Sequence, residues 1–199
     1  MTTKERILEE SMKLFSTYGY AAVTVRKIGD AVGIQNSALY KHFKNKQAIF
    51  DALVQHSKEL FYEKYKEISF ETLDMKGFRS MCLEMFRFQT QEPWIVMFRK
   101  ILCMGQFSDL ELATVYQDLF IRQPVECQSK IFARLMEQGY MKKRDPYVVS
   151  MELYAPFFLY HTVEEKPEDL SLRYQTHIDY FMKDNEMELK ENEELNIKN

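Results

Sequence analysis

The sequence predicts an all-α fold, and three observations lead there. Only 6 Gly and 5 Pro occur in 199 residues, and no Pro precedes Pro93. The long stretches between them carry apolar residues three and four apart, the period of an amphipathic helix. Nothing alternates at period two, as a half-buried strand would.

The first helix is expected from Lys4 to Tyr18. Thr2 and Glu5 fit a capping box, and Ile7, Ser11, Leu14, Phe15 and Tyr18 share a face. Gly19 suits a left-handed stop. A short helix follows from Val25 to Val32 under the Thr24 hydroxyl, with Ile28 and Val32 turned inward, and Gly33 ends it. A third spans Asn36 to Phe43, where Leu39 and Phe43 are four apart on one face. Asn45 and Lys46 open a long helix to Ile68, with Ile49, Phe50, Leu53, Leu60 and Phe61 as its buried positions.

Five more helices are expected near residues 74–90, 94–104, 109–138, 146–164 and 167–183. Pro93, Pro146 and Pro167 stand where a first-turn proline belongs, because the missing N–H would be unpaired there anyway. Ser108 and Glu111 make a second capping box. Pro124 and Pro156 fall inside apolar helical patterns, so each should kink or split its helix. The tail Lys183–Asn199 holds six acids against three bases and few apolar residues, the composition of a partly disordered end.

Composition excludes several classes. With 46% apolar and 29% charged residues the chain reads as a soluble globular protein. The longest apolar run, Leu153 to Tyr160, is far shorter than the roughly 20 residues of a membrane span. The first residues carry mixed charge and lack the apolar stretch of a signal peptide. Cys82, Cys103 and Cys127 are widely spaced without a Cys-x-x-Cys pair, which suits reduced thiols in a cytoplasmic protein. There is no Gly-x-Gly-x-x-Gly, Walker-type, His-Glu-x-x-His or Gly-x-Ser-x-Gly motif, and none of the 4 His follows a Glu by three. Catalysis, a metal and a cofactor are therefore not expected.

Charge is unevenly distributed. The formal net charge is −3, from 27 Lys+Arg and 30 Asp+Glu. Residues 1–46 hold eight bases and four acids, a local +4, and residues 47–199 carry −7. Within 24–46 only Asp30 opposes five positive charges. A basic, compact helical unit on an acidic body is the outline of a DNA-binding head. Two short helices joined at Gly33 make a helix-turn-helix, whose second member fits a major groove about 12 Å wide. Its inward face is Ile28, Val32, Ile34, Leu39 and Phe43. Gln35, Asn36, Ser37, Ala38, Lys41 and His42 face outward, where Asn or Gln can pair with adenine. Thr24, Tyr40, Lys41, His42 and Lys46 suit phosphate oxygens, and Arg26 is counted with this DNA-facing set.

The stretch from Thr24 to Lys46 resembles the TetR family of bacterial transcriptional regulators. The preceding Met12-Lys-Leu-Phe-Ser-Thr-Tyr-Gly19 and the following Gln47-Ala-Ile-Phe50 agree, so the resemblance covers about the first 55 residues. It implies phosphate contacts from Thr24, Tyr40, Lys41, His42 and Lys46, and base contacts from Gln35 to Ala38. Two positions depart from the family pattern. Gly29 replaces the usual Ala, which weakens the second helix slightly. Gln35 replaces a capping Ser or Thr, leaving Asn36 as an alternative cap.

The expected organisation is a DNA-binding domain at 1–46, a connecting helix at 47–68, a helical ligand-binding and dimerisation domain at 69–183, and an acidic tail at 184–199. The resemblance implies a ligand pocket. Phe78, Cys82, Met85, Phe86 and Gln89, then Trp94, Phe98 and Met104, then Tyr116, Phe120 and His161, are its candidate lining, with ordinary core packing as the competing reading for each. Tyr154, Phe157, Phe158, Tyr174, Ile178 and Phe181 exceed what one core-facing stripe needs, which suggests a dimer interface. Together these point to a homodimeric cytoplasmic repressor that binds an inverted-repeat operator in double-stranded DNA and is released by a small apolar or amphipathic effector. The alternatives are an activator or ligand-independent regulator, and an all-helical binding protein or enzyme.

Overall fold

A computed structural model of the chain describes residues 1–66, 75–160, 167–185 and 187. Every regular element among them is helical. In order these are α1 (Thr3–Tyr18), α2 (Val25–Val32), α3 (Asn36–Tyr40), α4 (Lys46–Lys66) and α5 (Met75–Gln91). Then come α6 (Pro93–Gly105), α7 (Leu110–Gln117), α8 (Gln123–Glu137), α9 (Pro146–Tyr160) and α10 (Pro167–Asp184). The chain forms two compact units, one of Met1–Glu67 with Gln91–Ile121 and the other of Ile68–Thr90 with Arg122–Asn199.

The first unit is organised around α1, against which α2, α4 and α6 all pack. The capping box at Thr2 and Glu5 starts α1, and Gly19 ends it with φ 81° and an extended ψ of 151° rather than the left-handed helical form. Ile7, Met12, Phe15, Ile28, Leu39, Ile49 and Phe50 are fully buried. Each such side chain contributes about 1.5–3 kcal/mol relative to exposure. Residues 91–121, expected within the domain 69–183, belong here instead, because α6 lies along α1 and buries Ile95, Phe98, Ile101 and Leu102.

Several local expectations are corrected. Tyr18 is exposed rather than on the inward face, and Leu60 is only half-buried. The third helix stops at Tyr40 and continues as a turn, with the His42 and Phe43 N–H groups still bonded to the Leu39 carbonyl. The expected helix 109–138 is divided into α7, a π-helical turn at Asp118–Arg122, and α8. Pro124 has no N–H, and its ring clashes with the carbonyl four residues back, so the widened turn falls just before it. Pro156, by contrast, does not split α9. The cap of α7 is Asp109, which accepts from the Glu111 and Leu112 N–H groups, while Ser108 donates to the Gly105 carbonyl. The ends of the helices expected to reach residues 68 and 164, and most of the tail from 184 on, lie outside the described residues.

In the second unit α9 packs on α8 and α10. Phe86 of α5 stacks on Tyr174 of α10 with ring centroids 4.0 Å apart, and Phe157 meets both edge-on. The buried Tyr154 hydroxyl donates to Gln89 Oε1 at 3.1 Å, a polar contact among the aromatic rings of this core. At the end of α10 the buried Asn185 accepts from the Lys142 N–H through its backbone and from Arg144 through its side chain.

Candidate nucleic-acid interface

The two helices of the motif are held by backbone chemistry that the sequence dictates. Thr24 caps α2, its hydroxyl accepting from the Lys27 N–H at 3.2 Å. Gly33 closes α2 with φ 76° and ψ 34°, a left-handed conformation that only glycine adopts readily. The chain then reverses tightly, and the Ile34 N–H donates to the Gly29 carbonyl at 2.9 Å. Of the expected inward face, Ile28, Val32, Leu39 and Phe43 are buried and Ile34 is half-buried.

That packing leaves one side of the motif open. Thr24, Arg26, Gln35, Asn36, Ser37, Tyr40, Lys41 and His42 are exposed, and Ala38 and Lys46 are half-buried. Gln35 occupies the cap position of α3 but makes no side-chain cap bond, so its amide projects outward. Asn36 is the first residue of α3, not its cap, and its Oδ1 lies beside Gly29. Lys46 is more committed than its sequence suggests. Its ammonium donates to the Tyr20 carbonyl at 3.0 Å and sits 4.3 Å from the Tyr20 ring centroid. Burial lowers its pKa from the ordinary lysine value, and the Asp109 carboxylate opposes that shift.

Other cations of the head also have structural roles that spacing does not reveal. Arg6 donates to the Val32 carbonyl at 2.6 Å. Lys27 lies 3.3 Å from the Tyr18 ring centroid, a cation–π contact on that exposed ring. Lys13 pairs with Glu9 and Glu10. Arg26, Lys41 and Lys44 are exposed. The Arg6 and Lys27 contacts join residues 26 and 9 positions apart, so only the packing of α1 against α2 brings them together.

Residues 7–53 match the family model described as bacterial regulatory proteins, tetR family. This head segment is thus similar to the TetR family. The chain is 34% identical over 74 residues to the HTH-type transcriptional repressor KstR2 of Rhodococcus jostii (strain RHA1), covering 37% of this chain and 36% of that protein. It is 36% identical over 52 residues to the tetracycline repressor protein class C of Escherichia coli, covering 26% and 24%. The curated relatives it matches first are thus spanned over only 22% to 36% of their length. The SmeT–triclosan complex shares the fold at a TM-score of 0.74 and 21% identity, over 92% of this chain and 91% of that one. SmeT is the repressor of a Stenotrophomonas maltophilia multidrug efflux pump. These TetR-family relatives are regulators rather than enzymes.

The candidate effector-pocket residues divide between the units. Phe78, Cys82, Met85, Phe86 and Gln89 are buried in the second. Trp94, Phe98, Met104, Tyr116 and Phe120 lie in the first, where the Trp94 indole donates to Ser57 and Tyr116 stacks near Phe120. Met104 is 43% exposed, so it does not line an interior there. His161 lies outside the described residues. The dimer candidates need correction. Tyr154, Phe157, Tyr174, Ile178 and Phe181 are buried in the second unit's own core, with Phe158 packed against it, because α9 and α10 turn these side chains toward α5 and α8. The exposed apolar residues of α9 and α10 are instead Tyr147, Val148, Met151, Leu159, Leu172 and Tyr180.

Proposed function

We propose that this chain is a homodimeric, ligand-responsive transcriptional repressor acting on an inverted-repeat operator in the cytoplasm. The observation that carries the reading is the exposed row of Gln35, Asn36, Ser37, Tyr40, Lys41 and His42 above a fully packed Ile28–Leu39 core. Side chains of adaptable hydrogen bonding stand there beside cations, and phosphates are met by Lys41, Arg26 and the Thr24 helix start. Two such heads related by a two-fold axis would engage half-sites about 34–36 Å apart or a multiple of that. The exposed apolar stripe of α9 and α10 is the surface for the second copy. The aromatic core around Phe86, Gln89 and Tyr154 is the place for a small apolar or amphipathic effector, a reading supported by the triclosan bound to SmeT.

Binding to a duplex selected by the chain from a randomised pool tests the DNA assignment. Lys41→Ala and Tyr40→Ala should each weaken it, and Lys41→Ala should lower the salt slope by about one. Wild-type affinity and slope in both variants would refute it. Sedimentation tests the dimer, and a thermal-shift screen of apolar compounds tests the effector, since a ligand bound only to the folded state raises the melting temperature.

A further inference from the structure

The Gln47 side chain joins three parts of the first unit. Its Oε1 accepts from the Tyr20 hydroxyl at 2.8 Å, and its Nε2 donates to Asp51 at 2.9 Å and to Glu111 at 2.7 Å. Both amide N–H bonds and the carbonyl are therefore engaged. Tyr20 sits in the connection between α1 and α2, its ring against Phe15 and Phe50 and its carbonyl receiving Lys46. Glu111 stands in the first turn of α7, two residues after the Asp109 cap. The corner before α7 is tightly closed, since Gly105 faces Leu112 with no room for a Cβ. A stiff corner thus grips the start of α4 and the start of the helix-turn-helix through one amide.

We propose that the Tyr20–Gln47–Glu111 chain is a latch that sets the attitude of the recognition segment, making Glu111 a positioning residue for DNA selectivity that touches no DNA. The proposal rests on the DNA-binding reading above. It has a sign that distinguishes it from charge alone. Removing a carboxylate from a DNA-binding face should tighten binding to every duplex by reducing repulsion of phosphates. Opening a latch should weaken binding to the matched duplex only, because the outward residues lose their register on the bases.

The test compares the wild-type chain with Glu111→Ala, Glu111→Gln, Tyr20→Phe and Lys41→Ala. Each is titrated by fluorescence anisotropy, over a salt series, into the duplex selected by the wild-type chain and into a scrambled duplex. Glu111→Ala is expected to lose roughly five- to tenfold in affinity for the selected duplex. Its affinity for the scrambled duplex holds or rises, and its salt slope stays unchanged. Glu111→Gln, whose side-chain oxygen still accepts from Gln47, stays within about twofold of wild type. Tyr20→Phe keeps the ring packing, loses one arm of the network and shows the same selective loss. Wild-type selectivity in both Glu111→Ala and Tyr20→Phe overturns the latch. So does an equal loss on both duplexes with a lowered melting temperature, which marks a purely structural role. If Lys41→Ala also binds like wild type, the failure lies in the DNA-binding reading itself.

Discussion

The Arg6 guanidinium donates to the Val32 carbonyl at 2.6 Å, tying the first turns of α1 to the last turn of α2. The last carbonyls of a helix lack partners within it and concentrate negative potential, so a cation there satisfies both needs. Arg6→Ala should cost about 1 kcal/mol of unfolding free energy in urea titration. Replacement by Lys should recover part of it. No change would mean that water serves Val32 equally well.

Gly29 is buried where α2 meets the turn, and a Cβ there would lie 3.0 Å from the Ile34 carbonyl and 3.1 Å from Asn36 Oδ1. Helix propensity alone predicts that Gly29→Ala gains about 1 kcal/mol. The fixed turn carbonyl opposes that gain, so the variant should show none in a urea melt. Displacement of the Asn36 side chain should alter base preference when the variant selects its own duplexes. A full propensity gain with unchanged preference would show that the contact yields freely.

The stacked Phe86 and Tyr174 rings, with Phe157 edge-on to both, close the core of the second unit. Phe86→Ala should cost about 3–5 kcal/mol, the transfer loss plus a cavity. Tyr154→Phe removes only the hydroxyl that reaches Gln89 and should cost about 1 kcal/mol. Calorimetric melts separate the two. Similar losses for both would mean that the polar pair matters as much as the packing.

His177 lies beside Tyr174 and Phe181, and burial lowers its pKa from the ordinary histidine value, opposed by a hydrogen bond to the Leu153 backbone. The unfolded chain then binds the proton more readily than the folded one. Its contribution to stability is complete above the ordinary histidine value and is lost as pH falls through it toward the folded value. Melting temperature should therefore drop between about pH 7.5 and 5.5, and His177→Gln should flatten that slope. An identical pH profile in the variant would remove His177 as the cause.

The α1 to α4 elements were legible because their punctuation is local. Thr2 with Glu5, Thr24, and Gly33 act within one helical turn, and the apolar period needs no knowledge of a partner. The outward residues followed from the same period, since turning Leu39 inward turns Lys41 outward. The π turn before Pro124 and the choice of Asp109 over Ser108 were not legible. Both depend on which of two near-equal local bond patterns the surrounding helices accommodate.

By itself the sequence determined the helical class, the helix-turn-helix and the charge of its head, all properties of short windows. Only the tertiary structure decided which cations stay exposed, that α6 and α7 join the head, and that Glu111 meets Gln47. It also turned Tyr154, Phe157, Tyr174, Ile178 and Phe181 into core rather than surface. A helix apolar on two sides can bury either side, and periodicity cannot say which neighbour arrives first. Packing against α5 and α8 makes that choice, because burial is a property of the assembled helices and not of any one of them.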